Sequence, residues 1–263
     1  MRTTCAPSGN FFVGWVPSSD SYQGEVTMHE DLAVLRSLLG VAAATVVNAV
    51  PLSGGGSSTS VFTEPNEKGR RADMNYFEVD EQGLDTFGVT LTEGRNFDAT
   101  IVTKPPRNSS FSPSGILVTQ DVAKELFPKE SALGKTIYTG TSQPVTILGI
   151  IDHMHGSWPG WDKVGNVGLF PVIPDETYAR YMVRAKPGQR DAMMKQAEEA
   201  LNKMDNGRVI LKVRSLEYIA ANTYADDRAM AVYLSVVIAL LLGIAALGIF
   251  GLAAFNVSTR TKQ

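Results

Sequence analysis

Asp152-His153-Met154-His155 is the cluster in this chain that brings metal-ligand residue types together. On a β-strand its two imidazoles fall on one face, which allows chelation, yet zinc sites take three or four protein ligands and no partner pair accompanies these. His29 precedes a helix without an evident partner and reads as a solvated surface residue. Gly134-Lys135-Thr136 matches the end of a phosphate-binding loop, but residue 129 is lysine where the loop's first glycine belongs, so the backbone amides cannot wrap a phosphate. Gly134 is better explained as a turn before a strand at Ile137. Ser53, Ser57, Ser58 and Ser60 lie in or beside GGGSSTS, which lacks a Gly-x-Ser-x-Gly elbow and reads as a mobile loop at a sheet end. Asp226 and Asp227, adjacent on a helix, point in different directions and form no acid–base pair; they read as solvated charges. Trp158 and Trp161 flank Pro159-Gly160, and two readings stand: an exposed binding tip, or a loop anchored in the core. No residue is therefore assigned a catalytic, cofactor-binding or metal-binding role, and no cofactor is expected.

The elements that would position these residues are dominated by the C-terminal stretch. No charged residue occurs from Ala229 to Thr259, and Val232–Phe255 reads VYLSVVIALLLGIAALGIFGLAAF. A bilayer core about 30 Å thick needs roughly 20 apolar residues in helical geometry, which this run exceeds. Gly243, Gly248 and Gly251 suit close helix approach in lipid. Residues 229–257 are expected to form a transmembrane helix followed by a short cytoplasmic tail, 258–263. Arg260 and Lys262 after the span favour a cytoplasmic C-terminus, which places residues 1–228 outside. Met1–Gln23 holds no long apolar segment of a secretory leader. An external domain without an export signal is most simply a fragment whose earlier membrane segment is missing.

The remaining residues suffice for one large or two small domains. The formal net charge of −3 gives no broad basic surface, which argues against nucleic acid as a partner. The single cysteine, Cys5, forms no internal disulfide. Pro51–Ser60, Glu64–Arg71, Lys104–Ser114 and Gly156–Gly168 read as loops from their Gly, Pro and Ser content.

Between the loops, strands and helices alternate. Asn10–Val16 reads as a strand. Met28–Leu39 reads as a helix with Leu32, Leu35 and Leu39 on one face, and Val41–Val50 as a strand. A second strand–helix–strand unit follows late: Tyr178–Ala185, a helix over Pro187–Met204 with Met193, Ala197, Leu201 and Met204 on one face, then Arg208–Val213. Two such units over one sheet predict a ferredoxin-like α+β sandwich. The middle, Gly94–Gly168, differs in texture: a strand at Ile116–Val118, a helix Gln120–Phe127 capped by Thr119 and stopped by Pro128, and strands at Ile137–Thr139 and Val145–Ile151. It is expected to form a small inserted α/β subdomain. Ser215 starts the last helix, which nothing breaks before Thr259, so a rigid connection into the membrane is expected.

Asn48–Ser58, Gly88–Phe97, Ile116–Ile137 and Val145–Asp152 resemble the periplasmic core domain of MacB/FtsX-type ABC transporter permeases, and Leu247–Gln263 is similar to that family's second membrane helix and cytoplasmic exit. The resemblance implies a porter-like periplasmic part over 1–93 and 169–228 interrupted by the insert 94–168. It also implies a bacterial inner-membrane location, with the main domain in the periplasm. A cytoplasmic ABC ATPase would supply energy, so the chain itself would not be an enzyme; the other implied partners are a second permease copy, the lipid bilayer and a periplasmic adaptor. ATP-driven movement of the membrane helices would pass to the periplasm for export or mechanotransmission. Two other classes remain: a membrane-anchored binding or sensor module, using the Trp158–Trp161 or Ser53–Ser60 loop, and a membrane-tethered hydrolase, for which no acid–base or nucleophile constellation assembles.

Overall fold

The computed structural model describes residues 9–17, 24–105, 113–140, 142–175, 179–204, 207–223 and 225–260. Its first elements are β1 (Asn10–Pro17), α1 (Gly24–Ser37), β2 (Val41–Val47), β3 (Ser57–Glu64), β4 (Lys68–Val79) and α2 (Gly83–Phe87). The middle of the chain supplies β5 (Leu91–Gly94), β6 (Gly115–Thr119), α3 (Gln120–Leu126), β7 (Thr136–Thr139), β8 (Pro144–Ile151) and β9 (Val167–Pro171). Then follow β10 (Arg180–Ala185), α4 (Arg190–Lys203), β11 (Arg208–Ser215), α5 (Leu216–Thr223) and α6 (Ala225–Arg260). The chain divides into a unit ending at Ala220 and a second beginning at Ala221.

Within the first unit, β1, β2, β10 and β11 form an antiparallel sheet in the order β11-β1-β10-β2. β1-α1-β2 and β10-α4-β11 are thus interleaved strand–helix–strand units, the split βαβ arrangement of a ferredoxin-like fold. Apolar residues spaced three and four apart explain the two helices: Met28, Leu32 and Leu35 from α1 and Met193, Ala197 and Leu201 from α4 enter one core with Phe11, Val13, Trp15 and Tyr181. Met204 packs at the margin of this core. Leu39 does not; α1 begins earlier than its apolar spacing suggests and stops at Ser37, leaving Leu39 90% exposed. A buried charge pair ties the interleaved halves together. Arg208 Nε lies 2.8 Å from Asp31 Oδ2, with side chains 2% and 0% exposed. The Tyr181 hydroxyl donates to the same carboxylate oxygen at 2.7 Å, and the rings of Trp15 and Tyr181 stack 5.6 Å apart.

The second sheet runs β5-β8-β6-β9-β4-β3-β7, and β7 pairs also with β8, so the ladder from β8 round to β7 closes on itself. Closure leaves those strands no free edge. Val61, Met74, Ile116, Val118, Ile137 and Ile147 fill one side together with Val122 and Leu126 of α3. The opposite face of β4, β6 and β9, carrying Phe77, Leu117 and Leu169, packs against Val47 and Met182 of the first sheet. The sequence-based borders at residues 94 and 168 run through this sheet, because β3 and β4 pair with β7 and β9 and not with β1, β2, β10 or β11.

Other local expectations need correction. The segment expected to be a mobile serine loop becomes β3 from Ser57 onward. Thr119 precedes α3, but its hydroxyl makes no cap; it donates to the Gly165 carbonyl at 2.8 Å and accepts from Val167 N at 3.1 Å. Ser215 does cap its helix: Tyr218 N donates to its Oγ at 3.2 Å. The expectation of one unbroken helix from Ser215 is neither met nor overturned, because α5 and α6 adjoin Tyr224, which lies outside the described residues. Taken by itself, the second unit contains α6, whose Ala229–Ile249 stretch is long and apolar enough to cross a membrane.

Candidate functional site

Where β2 leaves the first sheet, Pro51-Leu52-Ser53-Gly54 turns beside the segment that follows β8. Leu52 N donates to the Gly156 carbonyl at 3.0 Å and Gly54 N to that of Ser157 at 2.9 Å. The turn forces Leu52 to φ 60°, a left-handed conformation that costs a branched side chain about 1–2 kcal/mol. Such strain is held in place by its surroundings and gathers at functional sites. Beside it, α2 ends at Gly88, whose φ of 69° lets its amide close the helix on the carbonyls of Leu84 and Asp85. Together with Arg184 of β10 and the first turn of α5, these segments enclose a cleft of 280 Å³.

The cleft is apolar inside and charged at its mouth. Leu52, Phe87, Met154 and Leu216 line it and are nearly buried. Asp152, Arg184 and Glu217 also line it. Arg184 donates to the Asp85 carbonyl at 2.9 Å, and Glu217 is paired with Arg190 of α4. β10 of the first sheet, the end of α2, the segment that follows β8 and α5 therefore all contribute walls. This arrangement suits a small, largely apolar ligand with one polar end.

Asp152, His153 and His155 all border the cleft, but β8 ends at Ile151, so strand geometry does not govern their side chains. Met154 points into the core between them, and His153 Nδ1 lies 3.3 Å from Asp121 Oδ2 on α3. Among the described residues no group of three His, Cys, Asp or Glu side chains is arranged to hold a metal ion. His29 sits exposed on α1. Gly134, at φ 73°, makes the turn into β7 and donates to the Ile147 carbonyl at 2.9 Å. Ser53 donates to the Val50 carbonyl at 2.7 Å, while Ser60 on β3 donates to Asp73 at 2.6 Å. Ser57 and Ser58 are also strand residues of β3, paired opposite Tyr76 and Asn75. Trp158 and Trp161 are half-buried and meet edge to face, 6.3 Å apart, so each ring covers the other. Cys5 and the side chains of Asp226 and Asp227 lie outside the described set.

One titratable group away from the cleft is strongly perturbed. Burial pushes the Glu78 carboxyl on β4 up to about 7, and the negative charge of Asp175 adds to the rise. Its backbone amide donates to Asn48 Oδ1 at 3.1 Å.

The residues of the cleft that sequence reasoning missed, Leu52, Phe87, Arg184 and Glu217, come from segments far apart in the chain. Only the PLSGGG run carried a local signal, since clustered glycines mark unusual backbone.

Comparison with known proteins agrees with this architecture. The family model of the MacB-like periplasmic core domain matches residues 5–201. The periplasmic region of MacB from Actinobacillus actinomycetemcomitans superposes with a TM-score of 0.51 at 13% identity, over 84% of this chain and 94% of that one. The extracellular domain of the noncanonic ABC-type transporter YknZ from Gram-positive bacteria is similar with a TM-score of 0.48 and 17% identity, over 77% of this chain and 100% of that one. No curated protein sequence matches the chain. With three quarters of its length covered by that family model and a ferredoxin-like unit interrupted by a second sheet, the chain belongs to the MacB-like periplasmic core domain family, that of ABC-transporter-type permeases.

Proposed function

We propose that this chain is the periplasmic and membrane part of a MacB/FtsX-type permease, carrying ATP-driven movement of membrane helices into the periplasm. One observation supports it above the others: α5 is fastened to the folded domain at its very start. Leu216 is buried in the core shared by both sheets, Ile219 packs against that core, and Glu217 pairs with Arg190 of α4. The membrane-length helix follows directly in the sequence. A displacement of α5 would therefore strain both sheets and α4 instead of being absorbed by a flexible linker. In this reading a separate cytoplasmic ATPase hydrolyses ATP, a second permease copy completes the membrane part, and a periplasmic adaptor receives the movement. The borders 1–93, 94–168 and 169–228 are then better redrawn by sheet membership, with the insert taken as residues 57–171.

The test is an insertion of Gly-Gly after Ala221 in the full permease. Transport is expected to fall while ATP hydrolysis persists; unchanged transport would refute the rigid link. The cleft favours one second reading, a membrane-anchored binding or sensor module. Ligand binding that changes the domain with no ATPase present, together with transport indifferent to the Gly-Gly insertion, would favour that reading.

A further inference from the structure

The first sheet buries one face under α1 and α4, whereas its other face is only partly covered. On the side of β10 and β2, Met182 and Val47 pack into the shared core, and Phe12 of β1 packs against it. On the β11 side the cover ends: Val209 is 49% and Leu211 57% exposed, and Tyr218, at the start of α5, is 51% exposed. Gly14 of β1 lies there between Arg180 of β10 and Lys212 of β11, its pairing partners on either side. Phe12, two residues earlier on the same face, pairs with Arg214, and Val16 pairs with Val209. Neighbouring strands lie about 4.8 Å apart, so the backbones of Arg180 and Lys212 stand about 10 Å apart across a position without a side chain. Gly14 is buried beneath its neighbours: the Arg180 stem runs over it, its Cδ 3.6 Å from where a Cβ on Gly14 would sit, and the Phe12 ring lies 3.5 Å from the same point. The Arg214 guanidinium lies 5.3 Å from the centre of the Tyr218 ring.

Among the described residues these cations have no acidic partner. Arg180 donates to the Ala179 carbonyl and Arg214 to that of Val213, and among the described residues no carboxylate pairs with Arg180, Lys212 or Arg214. Elsewhere on the surface Arg71, Lys135, Lys163 and Arg190 each hold one. Burial lowers the pKa of the Arg180 guanidinium.

We propose that this open face docks on an anionic bilayer surface, with Arg180, Lys212 and Arg214 gripping phosphate head groups while Val209, Leu211 and Tyr218 enter the head-group layer. The chemistry fits on each count. Cations beside an anionic leaflet each favour the docked state about fivefold. Tyrosine settles at the membrane–water boundary, where its ring and hydroxyl are both satisfied. β11 is also the last strand before the membrane-length segment that begins at Ala229, and the proposal rests on that segment crossing lipid. An acidic protein would match the cations but would gain less from exposed Val209 and Leu211 so close in sequence to a span.

The test uses the full chain in nanodiscs, with Cys5 replaced by serine and a fluorophore placed in turn by Leu211→Cys, Lys195→Cys on the helix-covered side, and Leu241→Cys within α6. In discs containing about 30 mol% phosphatidylglycerol, a head-group nitroxide should quench the 211 probe and spare the 195 probe. The combined variant R180Q, K212Q and R214Q, its secondary structure checked by circular dichroism, should lower the docked-to-free ratio about 100-fold. About 0.5 M sodium chloride should weaken docking in the wild-type protein as well. If the 241 probe responds to acyl-chain nitroxides while 211 stays as silent as 195, docking is overturned and the span stands. If 241 is silent too, the membrane reading of α6 falls with the proposal. Quenching at 211 that survives the combined variant overturns the assignment to these cations. A 211 probe that ignores lipid but responds to polyglutamate, with the response lost in the combined variant, overturns the bilayer in favour of a protein partner.

Discussion

The two sheets of the first unit handle charge in opposite ways. In the ferredoxin-like sheet, Asp31 and Arg208 are sealed inside the core and join α1 to β11. In the closed second sheet, Arg71, Asp73 and Ser60 form a comparable trio at the surface, with Arg71 2.7 Å from Asp73 and its side chain 59% exposed. Burial raises the Asp73 carboxyl, but the Ser60 hydroxyl and the Arg71 guanidinium outweigh it and hold the group below its ordinary value. The difference follows from connectivity. The second sheet uses one uninterrupted stretch of chain, 57–171, and its ladder closes by hydrogen bonds. The first draws its strands from two separated stretches, and the buried charge pair joins one of them to the other.

The largest effect should come from breaking the buried pair. Arg208→Met leaves the Asp31 carboxylate inside the core without its cation, a change that typically costs about 3–5 kcal/mol. Urea unfolding in detergent should show it, with Trp15 reporting on the first sheet and Trp158 and Trp161 on the second. A loss below about 1 kcal/mol would break the contrast drawn between the sheets. Replacing Asp31 by leucine in the same variant should recover much of the loss, because removal of both charges also removes their desolvation cost.

A smaller, pH-dependent effect should come from Glu78. The folded carboxyl keeps its proton up to about 7, whereas the unfolded one loses it near 4.5. The folded state therefore binds more protons between these values, and stability should fall as pH rises through that window and level off above it. The expected drop is about 1–3 kcal/mol, and Glu78→Gln should abolish it. A wild-type stability curve flat from pH 4.5 to 7 would show that the site is better solvated than its packing implies.

The smallest effect belongs to the exposed trio. Arg71→Gln should cost less than about 1 kcal/mol, and the cost should shrink with added salt. A loss as large as that of Arg208→Met would mean the surface pair organises the second sheet, contrary to the comparison.

The same contrast explains which parts were legible in the sequence. α1, α4 and β1 place apolar residues at regular spacing because one face of each is buried, and α6 carries an uncharged apolar span over Ala229–Ile249, so periodicity and length exposed all four. β3 is half-buried and rich in Ser and Thr, the first turn-side residues of β4 are exposed and rich in Lys and Arg, and three glycines ahead of β3 imitate a long loop. α2 is too short, at five residues, to show a helical period. The Asp31–Arg208 pair is invisible to local reading because its partners meet only when the sheet is assembled. The cleft was hidden for the same reason: Leu52, Phe87, Met154 and Leu216 are unremarkable apolar residues until four segments converge. The Asp152–His155 cluster carries metal-ligand residue types, but β8 ends at Ile151, so the strand geometry that would set both imidazoles on one face does not extend to it.

The interleaving of β1-α1-β2 with β10-α4-β11 also has a consequence on the ribosome. Chain growth runs at about 5–20 residues per second, so the stretch between Val47 and Arg180 takes roughly 7–27 s to emerge. Throughout that interval β1, α1 and β2 lack the strand that must slot between β1 and β2, and Phe11, Trp15 and Leu35 stay wet. The contiguous closed sheet can meanwhile mature alone. A nascent polypeptide of this design therefore travels with one finished module and one sticky half-module, and a holding chaperone has its natural customer in the latter.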